Sequence, residues 1–170
     1  SEMCIRDRAQ TEISNLLRRM EEKDPELSKV WEETKQWSMD DFKEIYRWLD
    51  IHFDHDFYES DVDEEGRQMV LEGEKNGTFI RSEGAIGIDL ETENLGFFML
   101  LKSDGNTLYS TKDLALARRK FDQFSVDRSV YVVGAEQTLH FKQVFATLNR
   151  MGYSQAERCY HLPYALVMLP

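Results

Sequence analysis

The sequence has 170 residues and a formal charge of −11, from 32 acidic and 21 basic side chains. Hydrophobic residues make up 41% of it and well-mixed charged residues 31%, a balance that allows a buried core and excludes a disordered tail. The acidic excess excludes a general binder of nucleic-acid backbone, DNA included, because that affinity comes from Lys and Arg displacing counterions, although a local basic patch remains compatible with it.

Residues 1–8, SEMCIRDR, share no pattern with the rest of the chain and are expected to be extraneous. Helical spacing begins with Ile13, Leu16, Leu17 and Met20, at i, i+3, i+4 and i+7. Pro25 interrupts, and Leu27, Val30, Trp31 and Trp37 suggest a second helix. Ser38 followed by Asp41 resembles a capping box, predicting a third helix with Phe42, Ile45, Tyr46 and Leu49 inward. The acidic, aromatic stretch 52–65 reads as a loop entering a short helix.

From Gly77 the pattern turns to strands. Gly84, Gly87, Ile86, Ile88 and Leu90 suggest a hairpin, and Phe97 to Leu101 an apolar strand stopping at Asp104-Gly105. Thr111 is placed to cap a helix running through Phe121. Ser129 to Val133 reads as a buried strand ending at Gly134. A helix comes next with Phe141, Val144, Phe145 and Leu148 on one face, closed by Gly152. Tyr164 to Leu169 reads as one more strand. Strand, helix, strand, helix, strand from residue 97 onward predicts a parallel α/β sheet behind a mostly helical region. The apolar runs are far too short to span a bilayer and no signal segment opens the chain, so a cytoplasmic protein without a membrane partner is expected. Cys4 and Cys159 lie too far apart for a local metal motif and read as free thiols.

Three stretches can carry chemistry. Tyr109 and Asp113 are four apart at a helix start, so one face can present a hydroxyl and a carboxylate to a cationic ligand. Asp113 can equally serve only the helix N-terminus, where negative charge is favourable. The run Tyr131-Val132-Val133-Gly134-Ala135-Glu136-Gln137 leads a strand through a glycine into polar residues, where open parallel sheets bind ligands. There Gly134 would permit close backbone approach and Glu136 could accept hydrogen bonds from a ribose, or the run is an ordinary strand-to-helix turn. Finally His52, His55 and Asp56, with Glu59 nearby, are dense enough to raise a metal-dependent phosphohydrolase as an alternative. The other reading is a solvated acidic loop, and His140 and His161 supply no second ligand motif.

Taken in order, Phe42-Lys43-Glu44-Ile45-Tyr46-Arg47-Trp48-Leu49, Phe53-Asp54, Glu59-Ser60, Lys102-Ser103-Asp104-Gly105, Tyr109-Ser110-Thr111-Lys112-Asp113 and Tyr131 to Gln137 resemble arginyl-tRNA synthetase, a class I aminoacyl-tRNA synthetase. The resemblance runs from about residue 9 to Pro170, with Ala165 where the family usually has glycine. It implies that 9–96 are a connective insertion and 97–170 the second half of a Rossmann-like catalytic domain. It also implies HIGH-type and KMSKS-type signatures outside the segment, before residue 1 and after Pro170, so that no residue here is a nucleophile or general base.

The resemblance assigns arginine binding to Tyr109, Asp113 and Gln137, and ATP binding to Gly134, Glu136 and, more weakly, His140. A guanidinium is a planar fork of donors, and a carboxylate can accept two of them in parallel, which fits Asp113. The implied reaction is ATP-dependent formation of arginyl-adenylate and transfer to tRNA, with Mg2+ accompanying ATP and no tightly bound protein-ligated metal. The segment alone is expected to be inactive. Besides the phosphohydrolase, a non-catalytic paralogue that keeps the arginine pocket is an alternative.

Overall fold

A computed structural model describes residues 9, 12, 13, 15, 16, 18–20 and 22–166 of the chain. They fall into two compact units, Ser1–Asp56 and Phe57–Pro170.

The first unit is helical. The described residues between 9 and 20 are helical, with Ile13, Leu16 and Met20 among them; Leu17 lies outside the described residues. A turn at Lys23, whose φ is 57°, leads into α1, Pro25–Trp48. The start of α1 is built from two side chains: Asp24 accepts hydrogen bonds from the Glu26 and Leu27 amides, and Pro25 sits where the missing N–H costs nothing. The Leu27 amide, followed by Arg19, holds the Asp24 carboxyl below its ordinary range. The expected break at Ser38 is absent. α1 runs straight through it, and the Ser38 hydroxyl donates back to the Thr34 carbonyl instead of capping a new helix. No Gly or Pro stands between Trp37 and Trp48 to stop the ladder, and a mid-helix serine satisfies itself in this way.

The second unit opens with α2, Glu59–Lys75, longer than the short helix expected. Val62, Gly66, Met69, Val70 and Gly73 form its buried stripe. Strands β1, Ile80–Ser82, and β2, Ala85–Asp89, make the predicted hairpin. Its two-residue turn is Glu83-Gly84 with both φ positive, 51° and 84°, the geometry whose twist matches the flanking strands. β3, Phe97–Leu101, pairs antiparallel with β2 through Ile88↔Phe98 and Asp89↔Phe97. β3 therefore belongs to the three-stranded sheet β1-β2-β3 and does not pair with the later strands, where one parallel sheet from residue 97 onward was expected. Only the short connection over 90–96 separates β2 from β3, and it reverses the chain at Asn94 (φ 59°) and Gly96 (φ 69°), whereas parallel pairing needs a long crossover.

Helix α3, Tyr109–Phe124, starts two residues before Thr111. Thr111 is therefore not the cap. It accepts from the Leu108 amide at 3.3 Å and donates to the Leu100 carbonyl, while Ser110 donates to the Met99 carbonyl at 2.7 Å. These bonds pin the first turn of α3 to β3. β4, Ser129–Gly134, then crosses over through α4, Thr138–Arg150, to β5, Cys159–Tyr164. β4 and β5 pair parallel from Ser129↔Cys159 to Gly134↔Tyr164, so the predicted α/β crossover is present. β5 ends where the last strand was expected to begin. The alternation Cys159 to Leu162 with β4's register decides this, not the richer apolar run after it, of which 167–169 lie outside the described residues. The core joins Val70, Leu90, Leu100, Leu114, Val144 and Leu148. β4 buries one face only: Tyr131 is inward, and Val130 and Val132 are exposed.

Lys120 reaches over the Tyr131 ring, its ammonium 3.7 Å from the centroid. Burial pushes this amine down to about 8 despite the favourable ring face, and burial also raises the Cys159 thiol. A lysine depressed in the folded state destabilises fully below its folded value, and that penalty fades as pH rises toward its unfolded value. Lys120→Met should therefore raise stability most below pH 8. The stability difference between parent and variant, followed by urea unfolding, should shrink between about pH 8 and 10.4. A difference independent of pH would refute the burial effect.

Candidate active site

Two helix starts build the site. Tyr109 is the first residue of α3 and Asp113 stands one turn on, so the two share a face as their spacing predicted. They border a small cleft of about 100 Å3 with Phe57, Tyr58, Glu59 and Lys112. Tyr109 is 71% exposed, leaving its hydroxyl open to a ligand. Lys112 donates to Glu59 at 2.8 Å, lies 3.7 Å from Asp63 and sits 5.8 Å from the Tyr109 ring centroid. The hydrogen bond to Glu59 raises the Lys112 amine above its ordinary range. Sequence reasoning assigned no role to Lys112 and considered Glu59 only beside the possible metal cluster. Their pairing spans 53 positions, and only the packing of α2 on α3 brings it about.

The second half lies beyond the carboxyl end of β4. Gly134 is buried and begins a single 3-10 turn, Ala135–Gln137, that feeds directly into α4. A Cβ on Gly134 would collide with the Glu136 carboxylate, so the glycine is what lets that side chain fold back over the strand end. Glu136 and Gln137 are both exposed, and Gln137 precedes the first turn of α4 but does not border the Tyr109 cleft. His140, on that first turn, joins the halves: its Nε2 lies 2.6 Å from Asp113 Oδ2. His161 is directed elsewhere, with its Nε2 3.0 Å from the Val133 carbonyl and its ring 4.8 Å from Phe141.

The histidine-rich stretch looks different. His52 and Asp50 meet at 3.4 Å but are 84% and 96% exposed, and among the described residues no three His, Cys, Asp or Glu side chains gather as metal ligands. Nothing in this geometry favours the phosphohydrolase. Among the described residues, no helix is long and apolar enough to cross a membrane.

A parallel strand pair joined by a helix, with polar turn and helix N-termini gathered beyond a strand's carboxyl end, is the ligand-binding arrangement of the open α/β class. Likeness to known proteins narrows that class. Residues 2–169 match the family described as tRNA synthetases class I (R), catalytic domain, and the chain belongs to it. It is 46% identical over 159 residues to the arginine–tRNA ligase of Bdellovibrio bacteriovorus and 35% identical over 160 to that of Bacteroides thetaiotaomicron. Each alignment covers 94% of this chain and 27% of the relative, so the chain spans about a quarter of their length. The crystal structure of arginyl-tRNA synthetase from Plasmodium falciparum shares the fold, with a TM-score of 0.79 at 20% identity, covering 98% of this chain and 30% of that one.

Proposed function

We propose that this chain is a segment of an arginine–tRNA ligase that binds arginine through Asp113, Tyr109 and Gln137. The observation that carries the reading is the cleft shared by Tyr109 and Asp113 in a chain of this family. A carboxylate at its wall supplies a charged, two-oxygen acceptor for a guanidinium, and the exposed phenol can orient the rest of the amino acid. Gln137 would come to the substrate from the start of α4. ATP would lie against the carboxyl end of β4, where Gly134 keeps the backbone uncovered by its own side chain and Glu136 offers acceptors to the ribose. Mg2+ would arrive on the ATP phosphates.

In the reaction, a carboxylate oxygen of arginine bonds to the α-phosphorus of ATP as the bond to pyrophosphate breaks. The terminal ribose hydroxyl of tRNA then takes the arginyl group and AMP leaves. The contribution of this segment is orientation of the amino acid. On this reading 9–96 are the connective insertion and 97–170 the second half of the catalytic domain, working in the cytoplasm with tRNA held largely by the rest of the protein.

The test is arginine-dependent pyrophosphate exchange by a full-length ligase carrying this segment, compared with the purified 170-residue chain. The full-length protein should exchange and charge tRNA, because catalysis by positioning needs the groups supplied by the other three quarters of the relatives' length. The 170-residue chain should do neither. A full-length protein that binds arginine without exchange would instead be the non-catalytic paralogue, and charging by the short chain would refute the division of labour.

A further inference from the structure

The contact between Asp113 and His140 joins α3 to α4, and both side chains are about three-quarters buried, at 28% and 24% exposure. A carboxylate has only acceptors, so Nε2 carries the hydrogen and donates to Oδ2. The imidazole is itself restrained. It stands edge-to-face with Phe98 of β3 and with Phe141 beside it, ring centroids 5.7 and 5.4 Å away. Lys112, adjacent to Asp113 in the chain, is engaged by Glu59 and Asp63. Asp113 thus has one oxygen fixed by a ring that cannot turn freely, and the carboxylate retains further lone pairs for a ligand.

We propose that His140 is a positioning residue for arginine selection: by holding Oδ2 of Asp113 it fixes the plane of the carboxylate so that it meets a planar guanidinium in preference to the tetrahedral ammonium of a lysine-like amino acid. This rests on the reading of Asp113 as the arginine-binding carboxylate. An aspartate freed from such a partner samples several rotamers, and the two parallel bonds that a guanidinium offers depend on the plane being set beforehand. A single ammonium donor depends on it much less. The role differs from adenosine contact, the other reading of His140, in that it acts through Asp113, which engages Nε2.

The experiment is steady-state pyrophosphate exchange by the full-length ligase carrying this segment, with His140→Met, His140→Gln and Asp113→Asn, titrating arginine, lysine and ATP separately. His140→Met removes the donor, and the KM for arginine should rise roughly tenfold to a hundredfold, the range for a hydrogen bond to a charged group. The KM for ATP should stay within about twofold, and the preference for arginine over lysine should narrow. His140→Gln places an N–H near the position of Nε2 and should restore most of the loss, which a merely space-filling role would not require. Should His140→Met not fold, His140→Phe asks the same question. A rise in the KM for ATP with that for arginine unchanged would give His140 to the nucleotide and overturn the proposal. Sensitivity at Asp113 with none at His140 would overturn it while leaving the Asp113 reading intact. Insensitivity at Asp113 would overturn both.

Discussion

Asp113→Asn in the full-length ligase carrying this segment is expected to lower arginine activation by roughly 30-fold to several thousand-fold. Removing one member of a desolvated, charge-assisted pair costs about 2–5 kcal/mol, and that loss appears directly in kcat/KM. The amide keeps the shape of the carboxylate but offers one acceptor and two donors, so a guanidinium meets N–H groups that it cannot pair with. The same amide can still accept from His140 Nε2, which keeps the α3–α4 contact largely in place. His52→Ala is the companion variant. His52 is exposed and the Asp50 carboxylate beside it is more exposed still, so activity should stay within a few-fold of the parent. The measurement is steady-state arginylation by both variants, with folding checked by circular dichroism. Loss of activity at His52 with Asp113→Asn unimpaired would reverse the assignment and revive the metal alternative.

The second large effect is expected at Gly66. Helix α2 approaches α3 so closely there that a Cβ would lie 2.7 Å from the Thr111 carbonyl oxygen and 3.0 Å from its methyl carbon. The first of these neighbours is helix backbone and cannot rotate away. Gly66→Leu must push the two helices apart, at a cost of about 1–3 kcal/mol or more. The same displacement strains the bonds by which Ser110 and Thr111 tie α3 to the Met99 and Leu100 carbonyls. Because Tyr109 and Asp113 ride on that turn, the KM for arginine should rise together with the loss of stability. Urea unfolding and arginine titration of one preparation test both halves. A variant with unchanged midpoint would show that the helices accommodate the side chain, contrary to this geometry.

The shared face of the two residues proposed to bind arginine is legible in the sequence because their spacing is local, whereas their roles come from the family resemblance. Tyr109 and Asp113 are four apart, and helical spacing alone puts them on one face. The glycine between β4 and the turn is equally visible, as are the Gly84 hairpin and the face of α4 formed by Phe141, Val144 and Leu148. Other local signals mislead. Ser38 and Thr111 both have the chemistry of a cap, yet a hydroxyl inside a helix finds its partner in the preceding turn or in a neighbouring strand, and neither choice is encoded by spacing. Asp24 with Pro25 is the stronger start signal for α1, masked because a proline reads as an interruption as readily as a first helical residue.

Composition and periodicity by themselves determined that the chain is α/β and the type of most elements, though not the unbroken run of α1 through Ser38, the length of α2 or the place of the last strand. The ordered set of short motifs also determined the family, because many modest matches at the right spacing are specific together. Tertiary structure alone decided that β3 pairs antiparallel with β2, that β5 ends at Tyr164, and that Lys112 binds Glu59 across 53 positions. It alone placed His140 on Asp113, 27 positions away. Periodicity reports which face of an element is apolar, but partner, direction and register depend on where the chain returns in space, and that is set by packing the whole core at once.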